Sequence, residues 1–387
     1  MALPTGYTTR NLLRRRSQVL FTALGIGFTT AVLCGVLSLR NGFEQLFRPL
    51  GADEVAVYLR IGATSEGDSG IPRESARIII KERPEILRDA AGRPLAAAEC
   101  FLAMYMEKIN GGLVNAPLRG IEEASLTLHP TPPRLIEGRW PDWGSDEVVV
   151  GRPLVNRMKN CALGDTLTLN TTPFDVVGVY EFDSSQGSEI WGPVDRMLEA
   201  LDRPVYSRVI ARVPLDLDYE QATLELEQDP RLNFSITRQS EYLATQTTGL
   251  STSLLVLSVF LTFIMGSAAV IGTMNTMLAT VATRTHEIGI LLAIGYSRIE
   301  VFLAFLLESA QVGLIGGAMG LLMVIPLHGV ETGASNFNTF TDISFSFRLS
   351  PTIAITAVGL SFLLGIIGGA IPAWIAANRQ VVDAIRR

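Results

Sequence analysis

Residues 17–39 read SQVLFTALGIGFTTAVLCGVLSL, 23 positions without a formal charge that follow Arg14, Arg15 and Arg16 and stop before Arg40. A helix over this run, rising 1.5 Å per residue, crosses the roughly 30 Å hydrocarbon core of a bilayer. A cleaved export signal is the competing reading, because the three arginines would serve as its basic front. The apolar stretch is longer than the roughly 7–15 residues of such a segment, and Ser38-Leu39-Arg40 is a poor cleavage site. An uncleaved first span, residues 17–40, fits better.

Three more runs of this kind follow. Tyr242 to Thr283 carries no charge and turns apolar near Leu254; Val301 to Val330 carries only Glu308; Leu349 to Asn378 carries none. Buried core helices of a soluble protein do not call for four such runs, so the expected fold is an α-helical membrane protein with four transmembrane helices. Composition agrees. Of 387 residues, 48% are hydrophobic and 18% charged, against about a quarter charged in ordinary soluble domains, and the mean hydropathy is +0.31. Three cysteines are too few for a disulfide framework, and a net charge of −6 argues against a nucleic-acid partner.

Lysine and arginine near the span ends set the orientation. Arg10, Arg14, Arg15, Arg16, Arg284, Arg298, Arg379, Arg386 and Arg387 stand on one side against Glu287, Glu300 and Asp383. The loop between the third and fourth spans has Arg348 against Glu331 and Asp342. Both termini are therefore expected in the cytoplasm, with residues 1–16 as the cytoplasmic N-terminus and residues 41–241 outside. That outer block holds 21 Lys and Arg against 32 Asp and Glu, a net −11, and is large enough for its own core.

Within it, Asp146–Gly151 reads as a short strand ending at a glycine. Leu163–Leu169 and Phe174–Tyr180 alternate as two strands joined at residues 170–173, and Ser75–Arg88 and Glu220–Gln228 have helical spacing. Strands mixed with helices make an α+β extracytoplasmic domain between helices one and two. Gly62 to Gly70 reads as an exposed loop. Trp140 and Trp143 read as packing residues at a Pro-Asp turn. Catalytic motifs are missing. His129 has no companion at ligand spacing, Ser184, Ser185 and Ser188 lack a nucleophile-elbow context, and the 387 residues contain no G-x-x-x-x-G-K-[ST] phosphate loop. No metal site and no catalytic residue is expected. Cys100 and Cys161 could pair in an oxidising compartment, but spacing does not decide it.

Between spans two and three, Ile288, Leu291, Leu292 and Gly295 fall at helical spacing after Arg284 and Glu287, which predicts a short amphipathic helix near 284–298 at the inner surface. It is either a connector or an element that seats in a cytoplasmic partner. Glu308, about eight residues into span three, is expected to pair structurally, with Arg298 or headgroup water in reach, rather than relay protons. Gly313-x-x-x-Gly317, Gly316-x-x-x-Gly320 and Gly365-x-x-x-Gly369 permit close helix contact, and dimerisation through span one and these faces.

The run Arg284-x-x-Glu287-Ile288-Gly289-x-Leu291-x-Ala293-Ile294-Gly295, with Glu308 and the glycines beyond it, resembles the FtsX-like permease domain of ABC transporters of the MacB, LolC, LolE and FtsX type. Pro372-Ala373-x-x-Ala376-Ala377 and Asp383-Ala384-Ile385-Arg386 are similar to its closing motif. Gly138-Arg139-Trp140, Val176–Val179 and Ile190-Trp191-x-Pro193 are similar to a MacB-like periplasmic core domain. The resemblance covers essentially the whole chain, with residues 41–241 as the periplasmic domain and 242–387 as the permease domain. It implies a cell inner membrane permease whose coupling helix, through Arg284, Glu287, Ile288, Gly289, Leu292, Ala293 and Gly295, touches an ABC ATPase. ATP and Mg would sit on that separate subunit and this chain would bind no cofactor of its own. The further implied partners are a second permease copy or paralogue, membrane lipids, and a periplasmic or outer-membrane protein. Cargo would be lipoprotein, peptide or other envelope material, moved by mechanotransmission. An FtsX-like regulator of a cell-wall hydrolase is the alternative, disfavoured by the roughly 200-residue outer domain, since the domain of such regulators is usually smaller.

Overall fold

The computed structural model describes residues 16–335 and 341–379. The N-terminal arginines before Arg16 and the closing Asp383–Arg386 lie outside them. The chain forms two compact units. A helical unit gathers the residues up to Gly42, Thr252–Val330 and those from Ser346 onward, and a sheet unit holds Phe43–Ser251 and Glu331–Phe345. The sheet unit is thus wider than residues 41–241. It extends into the second long helix, and it takes in Glu331–Phe345 of the connection between the third and fourth.

The first helix, α1, spans Arg16–Leu46. The sheet unit then supplies β1 Val55–Arg60, β2 Ile71–Pro72, α2 Arg73–Glu82, β3 Ala96–Glu107, β4 Leu113–Ile121, α3 Ser125–Leu128, β5 Arg134–Gly138, β6 Glu147–Gly151 and α4 Arg152–Val155. After these come β7 Thr166–Leu169, β8 Thr172–Glu181, β9 Ile190–Pro193, α5 Val194–Ala200, β10 Val205–Tyr206, β11 Arg208–Arg212, α6 Tyr219–Gln228 and β12 Phe234–Arg238. A ten-stranded sheet runs β12-β1-β11-β3-β4-β9-β6-β8-β5, with β7 and β5 on different stretches of β8. Its β4–β9 and β6–β8 pairs are parallel and the rest antiparallel.

Strand alternation divides the apolar residues between two faces. Val148 and Val150 of β6 join the large core with Phe174, Leu118, Ile79 and Leu226, while Val149 points the other way to Ile121, Tyr180 and Trp191. Trp140 packs on that second cluster, whereas Trp143 is exposed. The β7–β8 hairpin turns at Asn170, whose φ of 57° an asparagine tolerates. Helix α2 stops at Glu82 instead of running to Arg88, because Arg83 precedes Pro84 and is extended (φ −72°, ψ 125°). Helix α6 starts where the Asp218 carboxylate accepts from the N–H groups of Glu220 and Gln221. Cys100 and Cys161 are both free and buried, so the open question of their pairing is answered in the negative.

The remaining helices are α7 Gln239–Thr283, α8 Thr285–Ala293, α9 Arg298–Val324 and α10 Pro351–Ala377, with β13 Glu331–Ser335 and β14 Asp342–Ser346 between the last two. Among the described residues, α1, α7, α9 (continued to Leu327) and α10 are long and apolar enough to cross a membrane. Ser350 opens α10 by accepting from the Ile353 N–H.

Candidate functional site

Helix α8 is bounded by local chemistry. At its end Gly295 takes φ +105°, which a glycine adopts without strain, and its N–H donates to the Leu292 carbonyl while that of Tyr296 donates to Leu291. Ser297 then starts α9 with a capping box: Ser297 Oγ accepts from the Glu300 N–H, and the Ser297 N–H donates to Glu300 Oε2 at 2.8 Å. The turn between α8 and α9 is therefore fixed at both sides.

Arg284 stands alone between α7 and α8, at φ −107° and ψ 15°. Its Nη1 donates to Glu308 Oε2 of α9 at 3.0 Å, its Nε donates to Glu287 Oε2 at 3.0 Å, and its guanidinium lies 5.1 Å from the Phe305 ring centre. Arg284 and Glu308 are both buried. Glu308 is therefore paired with Arg284, 24 positions away, and Arg298 donates instead to Asn378 Oδ1 at 3.4 Å. Beside this pair Ile288 packs with Met277, Val281, Val301, Phe305, Ala373 and Ala376.

The seven residues expected to couple separate by face. Arg284, Ile288 and Gly289 are buried and cannot touch a partner as the helix stands; Leu292 is half-buried; Glu287, Ala293 and Gly295 are exposed. Sequence reasoning missed the most exposed apolar positions, Ile290 at 41% and Ile294 at 72%. Helical spacing offers the signal: 287, 290 and 294 share a face once 288 is turned inward.

The glycines serve contacts inside the chain. A Cβ on Gly365 would meet the Ser309 carbonyl at 2.5 Å, and one on Gly313 would meet the Ser361 carbonyl at 2.5 Å. Gly317 and Gly369 face the Ser361 and Ser309 side chains. Together these weld α9 to α10. Gly316 and Gly320 approach Ala23, Ile26 and Gly27 of α1, where a Cβ on Gly320 would sit 2.5 Å from the Gly27 carbonyl. The expected use of these faces for dimerisation is corrected accordingly. They are occupied by neighbouring helices of the same chain.

Sequence reasoning also missed a buried charge group in the sheet unit. Arg208 of β11 faces Glu99 of β3 in register, with Nη2 to Oε2 at 2.6 Å. Arg119 of β4 donates to both Glu189 oxygens, at 2.6 and 2.9 Å, and Trp191 Nε1 donates to Glu189 Oε2 at 2.9 Å. Glu66, from the loop expected to be exposed, bridges Arg119 and Arg208 at 2.6 and 2.7 Å and is itself buried. Burial alone would raise the Glu99 carboxyl, but Arg208 and Arg119 hold it below its ordinary value. For Glu189 burial prevails and its carboxyl is raised despite Arg119.

Residues 19–229 match the MacB-like periplasmic core domain and residues 258–381 the FtsX-like permease C-terminal domain. The chain belongs to the MacB-like family of ABC transporter permeases. Within this family, the macrolide export ATP-binding/permease protein MacB of Pasteurella multocida (strain Pm70) is 29% identical over 401 residues, covering 95% of this chain and 58% of that protein. The protein of the same name from Escherichia coli is 33% identical over 240 residues, covering 58% of this chain and 35% of its own length. The chain thus spans less than two thirds of these relatives. Among solved structures, the periplasmic region of MacB from Actinobacillus actinomycetemcomitans is similar at 16% identity and a TM-score of 0.37, over 50% of this chain and 93% of that one. The extracellular domain of the noncanonic ABC-type transporter YknZ from Gram-positive bacteria is similar at 13% and 0.35, over 47% and 99%. Membership in a family of ABC permeases implies a cytoplasmic ATPase partner.

Proposed function

We propose that this chain is the permease subunit of an ABC transporter that works by mechanotransmission. A separate cytoplasmic ATPase, carrying ATP and Mg, docks on α8, and its cycle is relayed through four spans to the sheet unit in the periplasm. Lipoprotein, peptide or other envelope cargo is what that unit moves. Arginines at 284 and 298 and at both chain ends favour an inner-membrane arrangement with the termini and α8 in the cytoplasm. A second permease copy, identical or paralogous, completes the transporter, since four spans are few to enclose a moving part.

The observation that carries the reading is the division of α8 into an anchored face and an offered one. Arg284 and Ile288 tie it inward, while Glu287, Ile290, Ala293 and Ile294 present a small apolar surface edged by charge. Such a helix suits a groove on a partner, whereas a simple connector needs no fixed turn on each side. The test is co-purification of the detergent-solubilised chain with a nucleotide-binding subunit, followed by ATP turnover. Ile294→Asp is expected to abolish both recovery and stimulation, with Asn110→Asp on an exposed hairpin tip as control. Full recovery with Ile294→Asp, or no nucleotide-binding subunit with the unaltered chain, would overturn the docking assignment.

A further inference from the structure

The buried charge group of the sheet unit has an unusual balance. Arg119, Arg208, Glu66, Glu99 and Glu189 are each more than nine-tenths buried, two positive against three negative. Without Glu66, two arginines face two glutamates. Its seat is therefore held by short charge-assisted hydrogen bonds against one surplus negative charge; its departure leaves two arginines and two glutamates still joined through Arg208–Glu99 and Arg119–Glu189, with Arg208 Nη1 needing water in place of Glu66. An element whose departure leaves a charge-neutral group has a second position that costs less than breaking either remaining arginine–glutamate pair.

Glu66 is carried by a loop that holds its own shape. The Asp68 carboxylate accepts from the N–H and hydroxyl of both Thr64 and Ser65, and Arg203 donates to the Ser69 carbonyl at 2.9 Å. The other side of the loop is tied to the start of α7. The Glu66 N–H donates to Tyr242 Oη at 3.2 Å, and Gln246 Nε2 donates to the Thr64 carbonyl at 2.9 Å. Helix α7 is continuous over 45 residues to Thr283, one position before Arg284. A cavity of about 40 Å³ borders the seat, lined by Glu66, Arg119, Glu189, Tyr242 and Gln246 among others. Its size lets water reach the charges as Glu66 leaves.

We infer that Glu66 is a positioning residue, the bolt through which displacement of α7 is passed to the central strands β3, β4 and β11. The inference rests on the permease reading above and names one residue through which that relay enters the sheet. Seated, the bolt ties α7 to both arginines; withdrawn, it frees the loop while the strands stay paired.

Hydrogen exchange tests this on the full chain in phosphatidylethanolamine–phosphatidylglycerol nanodiscs with its co-purified ATPase, with and without ATP. In the unaltered chain ATP should speed exchange at the Glu66 amide, which donates to Tyr242 Oη, roughly fivefold or more, the weight of a lost hydrogen bond, while Thr64 and Ser65 stay bonded to Asp68. Tyr242→Phe, which removes the acceptor on α7, should abolish that response while ATP turnover continues. Glu66→Gln should exchange fast in both conditions, and Glu66→Asp should recover part of the response. Because Tyr242 lies outside the charge group, its variant decides the matter even if Glu66→Gln does not fold. Stimulated turnover with unchanged exchange at the Glu66 amide would overturn the bolt and leave the permease reading intact. Absence of any stimulated ATPase would overturn that reading and the bolt with it.

Discussion

Arg284→Ala removes the guanidinium that donates to Glu308 at 3.0 Å and leaves a carboxylate whose side chain is 7% exposed. Stripping one partner from a buried pair costs about 3–5 kcal/mol. Losing the guanidinium over Phe305 adds about 1 kcal/mol. Arg284→Ala should therefore destabilise the helical unit by about 4–6 kcal/mol. Glu308→Gln should cost less, about 1–2 kcal/mol, because a neutral acceptor remains and Arg284 keeps Glu287. Replacing both groups by apolar ones, Arg284→Met with Glu308→Leu, should return stability to within about 1 kcal/mol of the natural chain. The assay is reversible unfolding in mixed detergent–SDS micelles followed by circular dichroism, read as a double-mutant cycle. If Arg284→Ala lies within about 0.5 kcal/mol of the natural chain, or the two changes simply add, the pair does not hold α8. The same double variant separates two roles for Arg284. An anchoring arginine can be replaced by the apolar pair with ATPase binding kept, whereas an arginine that contacts the ATPase cannot.

Gly365→Val should cost about 2–3 kcal/mol in the same assay, because its Cβ meets the Ser309 carbonyl at 2.5 Å. Gly359→Ala, with nothing within 4 Å of the added Cβ, should instead stabilise α10 by about 0.5–1 kcal/mol. His129 is buried, and burial lowers its pKa to about 4 from 6.5. The unfolded chain therefore binds the extra proton first as pH falls. The histidine's contribution is whole above pH 6.5 and is lost down to about pH 4, so the stability difference from His129→Gln should change by about 3 kcal/mol across that window. Cys34, Cys100 and Cys161 are buried and should resist an impermeant maleimide until the chain is unfolded. Against that silent background Asn110→Cys should be labelled from outside intact cells and Ile294→Cys only after permeabilisation; the reverse pattern would invert the proposed orientation.

The four long helices were legible because an uncharged run of 20 or more residues is a one-dimensional property. So was the β7–β8 hairpin, since Leu163–Leu169 and Phe174–Tyr180 alternate about a short polar link. The partner of Glu308 was not legible. Arg298 is ten positions away and Arg284 twenty-four, and only the turn through α8 brings the farther one into reach. The loop 62–70 misled for a related reason. Its Gly, Ser, Thr and Asp describe its backbone correctly, and they conceal that one carboxylate in it is aimed at two buried arginines. A signal did exist at the far end: Arg119 interrupts the apolar run Leu118-Arg119-Gly120-Ile121, and Arg208 opens the short strand Arg208-Val209-Ile210-Ala211-Arg212. A charge inside such a strand demands a partner, although the sequence does not say which.

The distribution of close contacts in the helical unit bears on how the proposed relay would run. Helices α9 and α10 meet backbone to backbone along Ser309, Gly313, Ser361 and Gly365, and Arg284 with Ile288 fastens α8 to the same body. A seam of that kind has little room to slide, because each glycine already touches a carbonyl. Helix α7 differs. Its most apolar eighteen-residue window is 11% buried, against 39%, 39% and 33% for the other three long helices. Near its end Met277 and Val281 pack in the cluster of Ile288, Ala373 and Ala376, and further back it approaches α10 with Thr273 against Gly368 and Gly266 against Leu364. The joint between α7 and α8 is the single non-helical residue Arg284. On the proposed function, a push on Ile290 and Ile294 moves α8, α9 and α10 together and turns α7 about that joint. On that proposal, what α7 does not take up as a gentle bend reaches its first turns, where Tyr242 and Gln246 hold the loop that carries Glu66.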